Sequence, residues 1–325
     1  GVDNRPYLFL DEIQNIKGWE KFVRRIADMK YRINITGSNS KMLSSEIAST
    51  LGGRFMIVDI YPYSFPEYLL AQGKNKNYLD ILSTKDRAEV LGMYDQYVKY
   101  GAFPELVGIR NKREFLNSIY QTIYLGDIIT RNKITNDFAV RLILKKIAES
   151  ITKPLSFNRL GNILKSAGAA IGKQTVINYV GYMMESYMLF TLQNYAAKLI
   201  QKETSPKYYF MDTGLLGLML MDCSSAQLEN LVAIELIRRF GREKVFYFEN
   251  NVEIDFYIPE EKLAIQVSMQ VLDQIETRER EIGAFLKLRN FIEGARCILI
   301  TNSEEAELDC DGIHVSVVPA WKWLL

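Results

Sequence analysis

The first residues of this 325-residue chain that could do chemistry stand almost at its start. Tyr7-Leu8-Phe9-Leu10 is an apolar run closed by two acids, Asp11 and Glu12. An uninterrupted apolar run suits a strand buried on both faces of a parallel sheet. Ligands of such sheets sit beyond the carboxyl ends of the strands, where Asp11 and Glu12 would stand. An Asp there can hold Mg²⁺ through water, and the neighbouring Glu, pointing elsewhere, can polarise an attacking water. The same tetrapeptide-plus-acids also closes ordinary strands, so the residues downstream of Glu12 must decide.

Composition removes several other chemistries. Cys223, Cys297 and Cys310 form no CxxC pair, and His314 is the only histidine, so the usual structural zinc sites cannot be built. A Ser-His or Cys-His mechanism would have to rest on His314, and an isolated His near a strand is most often a surface or packing residue. Scattered cysteines without a disulfide framework fit a reducing compartment. No apolar run approaches the roughly 20 residues of a membrane span, and the N-terminus does not read as a signal peptide. The expected location is the cytoplasm. With 40 Lys+Arg against 39 Asp+Glu the net charge is +1, so any nucleic-acid contact must come from a local basic face.

The elements that would position Asp11 and Glu12 come directly after them. Trp19, Phe22, Val23 and Ile26 are spaced as one face of a helix, and Tyr31 to Ile35 reads as a second strand ending in Thr36-Gly37-Ser38-Asn39-Ser40. Polar side chains just past a strand beside the first one could reach a γ-phosphate or its attacking water. Leu51-Gly52-Gly53-Arg54 precedes an alternating segment, Phe55 to Ile60, expected as another strand, and then Pro62-Tyr63-Ser64-Phe65-Pro66-Glu67-Tyr68. The Asp11-Glu12 pattern is of Walker B type. With LFLDEIQ at 8–14, TGSNS at 36–40, LGGR at 51–54, PYSFPEY at 62–68 and YGAFPELV at 100–107, the chain resembles a bacterial and archaeal family of AAA+-like P-loop ATPases that carry a C-terminal domain of unknown function. The resemblance implies ATP and Mg²⁺ as cofactors, Asp11 and Glu12 as the Walker B pair, Ser38 or Asn39 as the sensor-1 group, and Arg54 as a phosphate-sensing or finger arginine. A solvated arginine ahead of a strand is the plainer account of Arg54.

One piece of the pattern departs. A G-x-x-x-x-G-K-[ST] loop, whose amides cradle phosphates, does not occur in the sequence. Gly168-Ala-Ala-Ile-Gly172-Lys173-Gln174 imitates it with too short a loop and a Gln in place of the Mg²⁺-binding hydroxyl, and reads instead as a turn between helices. The expectation is a chain lacking the upstream half of its nucleotide site, which as it stands binds ATP poorly and scarcely hydrolyses it.

Residues 71–135 carry amphipathic helical signals broken at Gly101 and Pro104, and form a connector. Helices are expected near 136–150, from Ser156 as N-cap, and over 173–188, followed by strands at 189–192 and 207–211. Three helices and a hairpin is winged-helix order, and the resembled family is described as winged-helix-like in this region. Lys173, Gln174, Thr175 and Asn178 would then open a DNA-reading helix, with Lys198, Lys202 and Lys207 on or near the wing. A winged helix used for protein packing is the alternative.

The last third is similar to a PD-(D/E)xK nuclease core: a helix with Glu229, a strand Glu253-Ile254-Asp255-Phe256, and a strand Gln266-Val267-Ser268. Such cores hold Mg²⁺ with an Asp and a Glu on neighbouring strands and use a Lys two residues after that Glu. Glu229 and Asp255 fit, while Gln266 and Ser268 stand where Glu and Lys belong. Gln266 could still lend a carbonyl oxygen, but the charge is lost. A migrated lysine, such as Lys262 or Lys287, is unsupported by spacing. The expectation is a relic Mg²⁺ site without nuclease activity.

The sequence therefore reads as an α/β multidomain protein. A partial AAA+-like core spans 1–70, a helical connector 71–135, a winged-helix-like unit 136–212, and a degenerate restriction-endonuclease-like unit 213–325. Its expected function is to couple ATP binding and hydrolysis to engagement of DNA or a protein partner, with homo-oligomers conceivable for an AAA+-like core. A non-catalytic interaction scaffold and a Mg²⁺-dependent nuclease are the rivals.

Overall fold

A computed structural model describes residues 6–13, 16–38, 51–52, 55–74, 83–169, 171–220 and 224–325. It is an α/β structure in which a short parallel pair of strands precedes a helical region and an eight-stranded mixed sheet.

The parallel pair is β1 (Tyr7–Leu10) and β2 (Arg32–Ile35), joined by α1 (Trp19–Asp28) and registered Leu8 on Ile33 and Leu10 on Ile35. Trp19 and Val23 of α1 bury with Ile13 against Leu10, Ile33, Ile35 and Leu51. Burial on both faces was expected for β1, but its exposure alternates, with Tyr7 and Phe9 open. Helix α1 covers one face only. Residues 55–60, expected as a strand, form none: among the described residues no strand pairs with them, and Met56, Val58 and Ile60 are exposed. Alternation of apolar residues makes a strand only where a neighbour accepts its backbone hydrogen bonds.

Beyond this pair, α2 (Phe65–Ala71) starts at a capping box in which Ser64 and Glu67 exchange hydrogen bonds. Helices α3 (Thr84–Tyr100) and α4 (Lys112–Gln121) follow, and α4 runs on into a π-helical stretch, Thr122–Thr130. Next come α5 (Asp137–Ala148), α6 (Phe157–Ser166), whose N-cap Ser156 accepts from the Arg159 amide, and α7 (Lys173–Glu185). Strand β3 (Leu189–Asn194) pairs antiparallel with β4 (Lys207–Phe210), and α8 (Leu199–Thr204) lies between them in the chain.

Helices α9 (Thr213–Met219) and α10 (Ser224–Phe240) lead into β5 (Phe246–Glu249), β6 (Glu253–Ile258) and β7 (Leu263–Ser268). Helix α11 (Ile275–Leu288), β8 (Arg296–Thr301), β9 (Ala306–Cys310), β10 (Ile313–Pro319) and α12 (Ala320–Trp323) complete the chain. The strand order is β4-β3-β5-β6-β7-β8-β10-β9. Strand β3 serves two neighbours in succession: residues 189–192 pair with β4, and Gln193 and Asn194 pair parallel with β5. The hairpin is thereby part of the large sheet, and one apolar core runs from Phe65 to Leu324. A second fills the space under α11 around Phe285, Leu288 and Leu299.

The helical region and the sheet are pinned together at Asp212. Its carboxylate accepts from the amides of Ala102, Gly214 and Leu215 at 2.8, 2.8 and 3.3 Å, capping α9 and holding the turn after α3. Gly101 makes room for it: a Cβ there would fall 1.9 Å from Asp212 Oδ1, at a φ of 77° that disfavours side chains. Burial raises the Asp212 carboxyl to about 6 against the pull of its three amide donors. Asp212→Ala is expected to orphan three buried amides and lower unfolding stability by roughly 3 kcal/mol or more. Asp212→Asn, which keeps one acceptor oxygen, should lose less, and urea unfolding of both variants measures the difference.

Candidate functional site

The carboxyl ends of β1 and β2 lie side by side because the two strands are parallel and in register to their last residues. Just past β1, Asp11 accepts a hydrogen bond from Thr36 Oγ1, which stands just past β2. One step further, Glu12 Oε2 accepts from Ser38 Oγ at 3.0 Å. Glu12 holds a left-handed backbone conformation, φ 48°, which is uncommon for a non-glycine residue. Two acids and two hydroxyls thus share one sheet edge. Asn39 and Arg54 lie outside the described residues.

The π-helical stretch carries a further acid. Asp127 pairs with Arg131 at 2.8 Å. Burial first, and the charge of Glu12 last, raise the Asp127 carboxyl, while Arg131 pulls it down. Neither Asp127 nor Arg131 belongs to a motif legible in the sequence. Their signal is a Gly126-Asp127 step inside an otherwise apolar helix, Thr122 to Thr130, of the kind that accompanies π-helical insertions at functional positions.

The second constellation forms where β4 packs over β6. Alternate residues of β4 point the same way, and Lys207 and Tyr209 meet α10 and β6 on that side. Lys207 Nζ is 3.0 Å from Glu253 Oε1, 3.6 Å from Glu229 Oε1 and 3.6 Å from Asp255 Oδ1, with the Tyr247 ring 5.4 Å away. Tyr209 Oη donates to Glu229 Oε1 at 2.8 Å, and its ring packs on Phe256. Asp255 Oδ2 accepts from the Val267 amide at 2.9 Å. The Lys207 side chain is 0% exposed and Glu253 49%, so the cluster opens to solvent on the Glu253 side. Burial opposes the Lys207 ammonium, yet the three carboxylates outweigh it and hold its pKa above the usual lysine value. Burial raises Glu229 and Asp255, and Lys207 restrains both.

Several sequence expectations change here. Lys207, assigned to the wing of a DNA-binding unit, has no exposed surface with which to meet a duplex; it opens a strand whose four residues are all buried. Gln266 does not turn its amide toward the carboxylates. Its Oε1 accepts from the Asp255 amide at 2.8 Å and its Nε2 donates to the Glu253 carbonyl at 3.1 Å, so both ends serve the β6 backbone. Ser268 donates to the Gln270 carbonyl. The lysine among the acids is Lys207 from β4, and not Lys262 or Lys287, both of which are exposed. Among the described residues no three His, Cys, Asp or Glu side chains are placed to hold a metal ion together. Of the other basic candidates, Lys173, Gln174 and Asn178 are exposed on the first turns of α7, with Thr175 half-buried. Gln174 Nε2 donates to Asn178 Oδ1. Lys198 precedes α8, and Lys202 lies over the rings of Tyr195 and Phe246.

A parallel strand pair with paired acids and hydroxyls at its carboxyl edge, joined to a helical region and a mixed sheet, is the outline of an AAA-type core with an appended domain. Comparison with known families agrees: residues 2–69 match an AAA domain, and residues 91–226 match a domain of unknown function (DUF8612). Across its whole length the chain is 33% identical to 76% of "Uncharacterized protein MJ1544" of Methanocaldococcus jannaschii. An uncharacterized protein of Haemophilus influenzae is 29% identical over 97% of this chain and 77% of its own. The chain belongs to this family of AAA-like, ATPase-related proteins with a domain of unknown function. Among the described residues no helix is long and apolar enough to cross a membrane.

The geometry around Gln266 gives a direct check. Gln266→Ala leaves a buried amide and a carbonyl without partners, and urea unfolding should register a loss of about 2–4 kcal/mol. Gln266→Glu sets a carboxylate oxygen against the Glu253 carbonyl and beside Asp255, which raises the new group's pKa in the folded state. The folded protein then binds its proton more readily than the unfolded chain. Its stability should therefore approach wild type at acidic pH and fall as pH rises above the unfolded value of about 4.3.

Proposed function

We propose that this protein is an AAA-like ATPase that uses ATP binding and hydrolysis to control the engagement of a macromolecular partner. The observation that carries this reading is the shared edge of β1 and β2, where Asp11 and Glu12 are each hydrogen-bonded to a hydroxyl of the neighbouring strand end. The donor set fits Mg·ATP: Asp11 offers its second carboxylate oxygen to a water of the Mg²⁺ shell, a hard-oxygen environment such an ion favours. Bound there, Mg·ATP supplies a phosphoryl group open to in-line attack. Glu12, held by Ser38 at 3.0 Å, is the group that orients and deprotonates water. Thr36 fixes the Asp11 carboxylate, so that ground-state geometry is set before nucleotide arrives. Phosphate binding itself falls to a glycine-rich loop of a kind that residues 1–325 do not contain.

Coupling would run through Asp127 and Arg131, because the charge of Glu12 contributes to the Asp127 carboxyl and the π-helical stretch extends α4. In this reading residues 213–325 keep the outline of a PD-(D/E)xK unit without its chemistry and serve as a scaffold. The test is Mg·ATP hydrolysis by the chain together with whatever residues its gene encodes before Gly1. Glu12→Gln should lower kcat by roughly 10² or more, as loss of a general base does. Hydrolysis that is unchanged in Glu12→Gln, or absent with and without DNA, would replace the ATPase reading with the interaction scaffold.

A DNA partner is favoured by the exposure of Lys173, Gln174 and Asn178 at the start of α7, which comes after α5 and α6 in winged-helix order and precedes the β3/β4 pair. If α7 enters a groove, Lys173→Ala should weaken duplex binding across sequences and reduce the slope of log K against log salt by about one. Equal slopes for wild type and variant in a fluorescence-anisotropy titration would assign this surface to protein packing.

A further inference from the structure

We propose that the Lys207 ammonium is the resident cation of the Glu229–Glu253–Asp255 cluster, standing in the place of a divalent metal ion and closing the site to one. The cluster alone would be only a group of acids. The independent observation is the lysine itself: it is fully buried, its Nζ has no well-directed hydrogen bond, and three carboxylates from α10 and β6 are gathered around it at 3.0 to 3.6 Å. Those distances suit an ammonium. A divalent ion would need carboxylate oxygens at about 2.0–2.6 Å, so the acids stand open by roughly an ångström around a larger cation.

The surrounding hydrogen bonds aim the three acids at one point, and side-chain rotation would bring them the remaining ångström onto a smaller cation once the ammonium is removed. Tyr209 fixes Glu229, the Val267 amide fixes Asp255, and Gln266 ties down the backbone that carries both Glu253 and Asp255. A lysine tethered to β4 and fully buried can neither exchange with ions in solution nor reach a phosphate as a bound metal ion does. The cluster therefore acts as a permanent fastener of the β3/β4 hairpin to the C-terminal sheet. This inference is independent of the ATPase reading, since it concerns another part of the molecule.

The experiment is Mn²⁺ titration followed by electron paramagnetic resonance on the full chain, wild type against Asp255→Asn, Lys207→Ala and the double variant Lys207→Ala/Asp255→Asn. Wild type and Asp255→Asn are expected to leave the same amount of Mn²⁺ free. Lys207→Ala is expected to gain about one Mn²⁺ per chain, with a Kd of roughly 10⁻⁴ to 10⁻³ M, and the double variant to lose it. A Lys207→Ala protein that is unfolded alone and folds on addition of Mn²⁺, followed by circular dichroism, supports the proposal equally. A wild-type site that Asp255→Asn removes would overturn it, as would a folded Lys207→Ala protein that binds no more Mn²⁺ than wild type. Should Lys207→Ala stay unfolded with and without Mn²⁺, the wild-type comparison with Asp255→Asn decides alone: equal free Mn²⁺ upholds the proposal, and a difference refutes it.

Discussion

A charge without access to water survives in a protein only when opposite charges surround it, and the placement of Lys207 organises much of this molecule around that requirement. The ammonium sits on an edge strand, separated from β6 by β3 and β5 in the sheet order, yet it touches acids of β6. That is geometrically possible because β3 spends its first four residues on β4 and its last two on β5, letting the β3/β4 hairpin turn over the sheet. Helix α10 closes the other side. Asn230 donates to and accepts from Phe210, the last residue of β4, at 2.9 and 2.7 Å, and so satisfies an edge that would otherwise need a further strand. The neighbouring Glu229 then meets Lys207 and Tyr209. Burial of α10 from Gln227 to Ile237 results from its being packed between the hairpin and β7.

How much of this is legible in the sequence differs from element to element, and the reason is the range of the interaction. Ser156 announces its helix because an N-cap bonds to an amide three residues away. Asp11 and Glu12 are legible because an apolar strand ending in acids is a local pattern. Their partners Thr36 and Ser38 stand past the neighbouring strand, so a parallel register alone brings them into reach. The AAA-like class is likewise readable, because five short pieces in order constrain a family more than any of them does singly.

Residues 55–60 and Lys207 mark the other limit. Phe55-Met56-Ile57-Val58-Asp59-Ile60 has strand-forming residues, but pairing depends on a neighbour that no window of sequence contains. Strand β9, Ala306-Glu307-Leu308-Asp309-Cys310, gives little warning of itself because its alternation carries acids, which an edge strand tolerates on its open face. Lys207 reads as a wing residue because lysines near hairpins usually face solvent. The contrary signal is present: Lys207 opens Tyr208-Tyr209-Phe210, directly after Pro206. A strand buried along its full length carries its lysine inward with it, and a buried lysine demands acids elsewhere in the chain. Glu229 and Asp255 are conspicuous in the sequence, but as ligands of an absent ion and not as partners of a present one.

The same reasoning bears on how the two ends of the molecule could communicate. An effect at the shared edge of β1 and β2 passes to the rest of the chain only through elements with more than one packing arrangement available. The carboxylate cluster is a poor carrier, since Glu229 is tied to Tyr209 of β4 and Asp255 to the Val267 amide of β7. Asp212 is another fixed point, with Gly101 pressed against it and no space for either to shift. The π-helical stretch differs: its hydrogen bonds span one residue more than those of the α-helix it extends, and Asp127, half-buried and paired with Arg131, has its carboxyl raised first by burial and last by the charge of Glu12. The Asp127–Arg131 pair closes the π-helical stretch, and the turn of residues 131–136 separates it from α5.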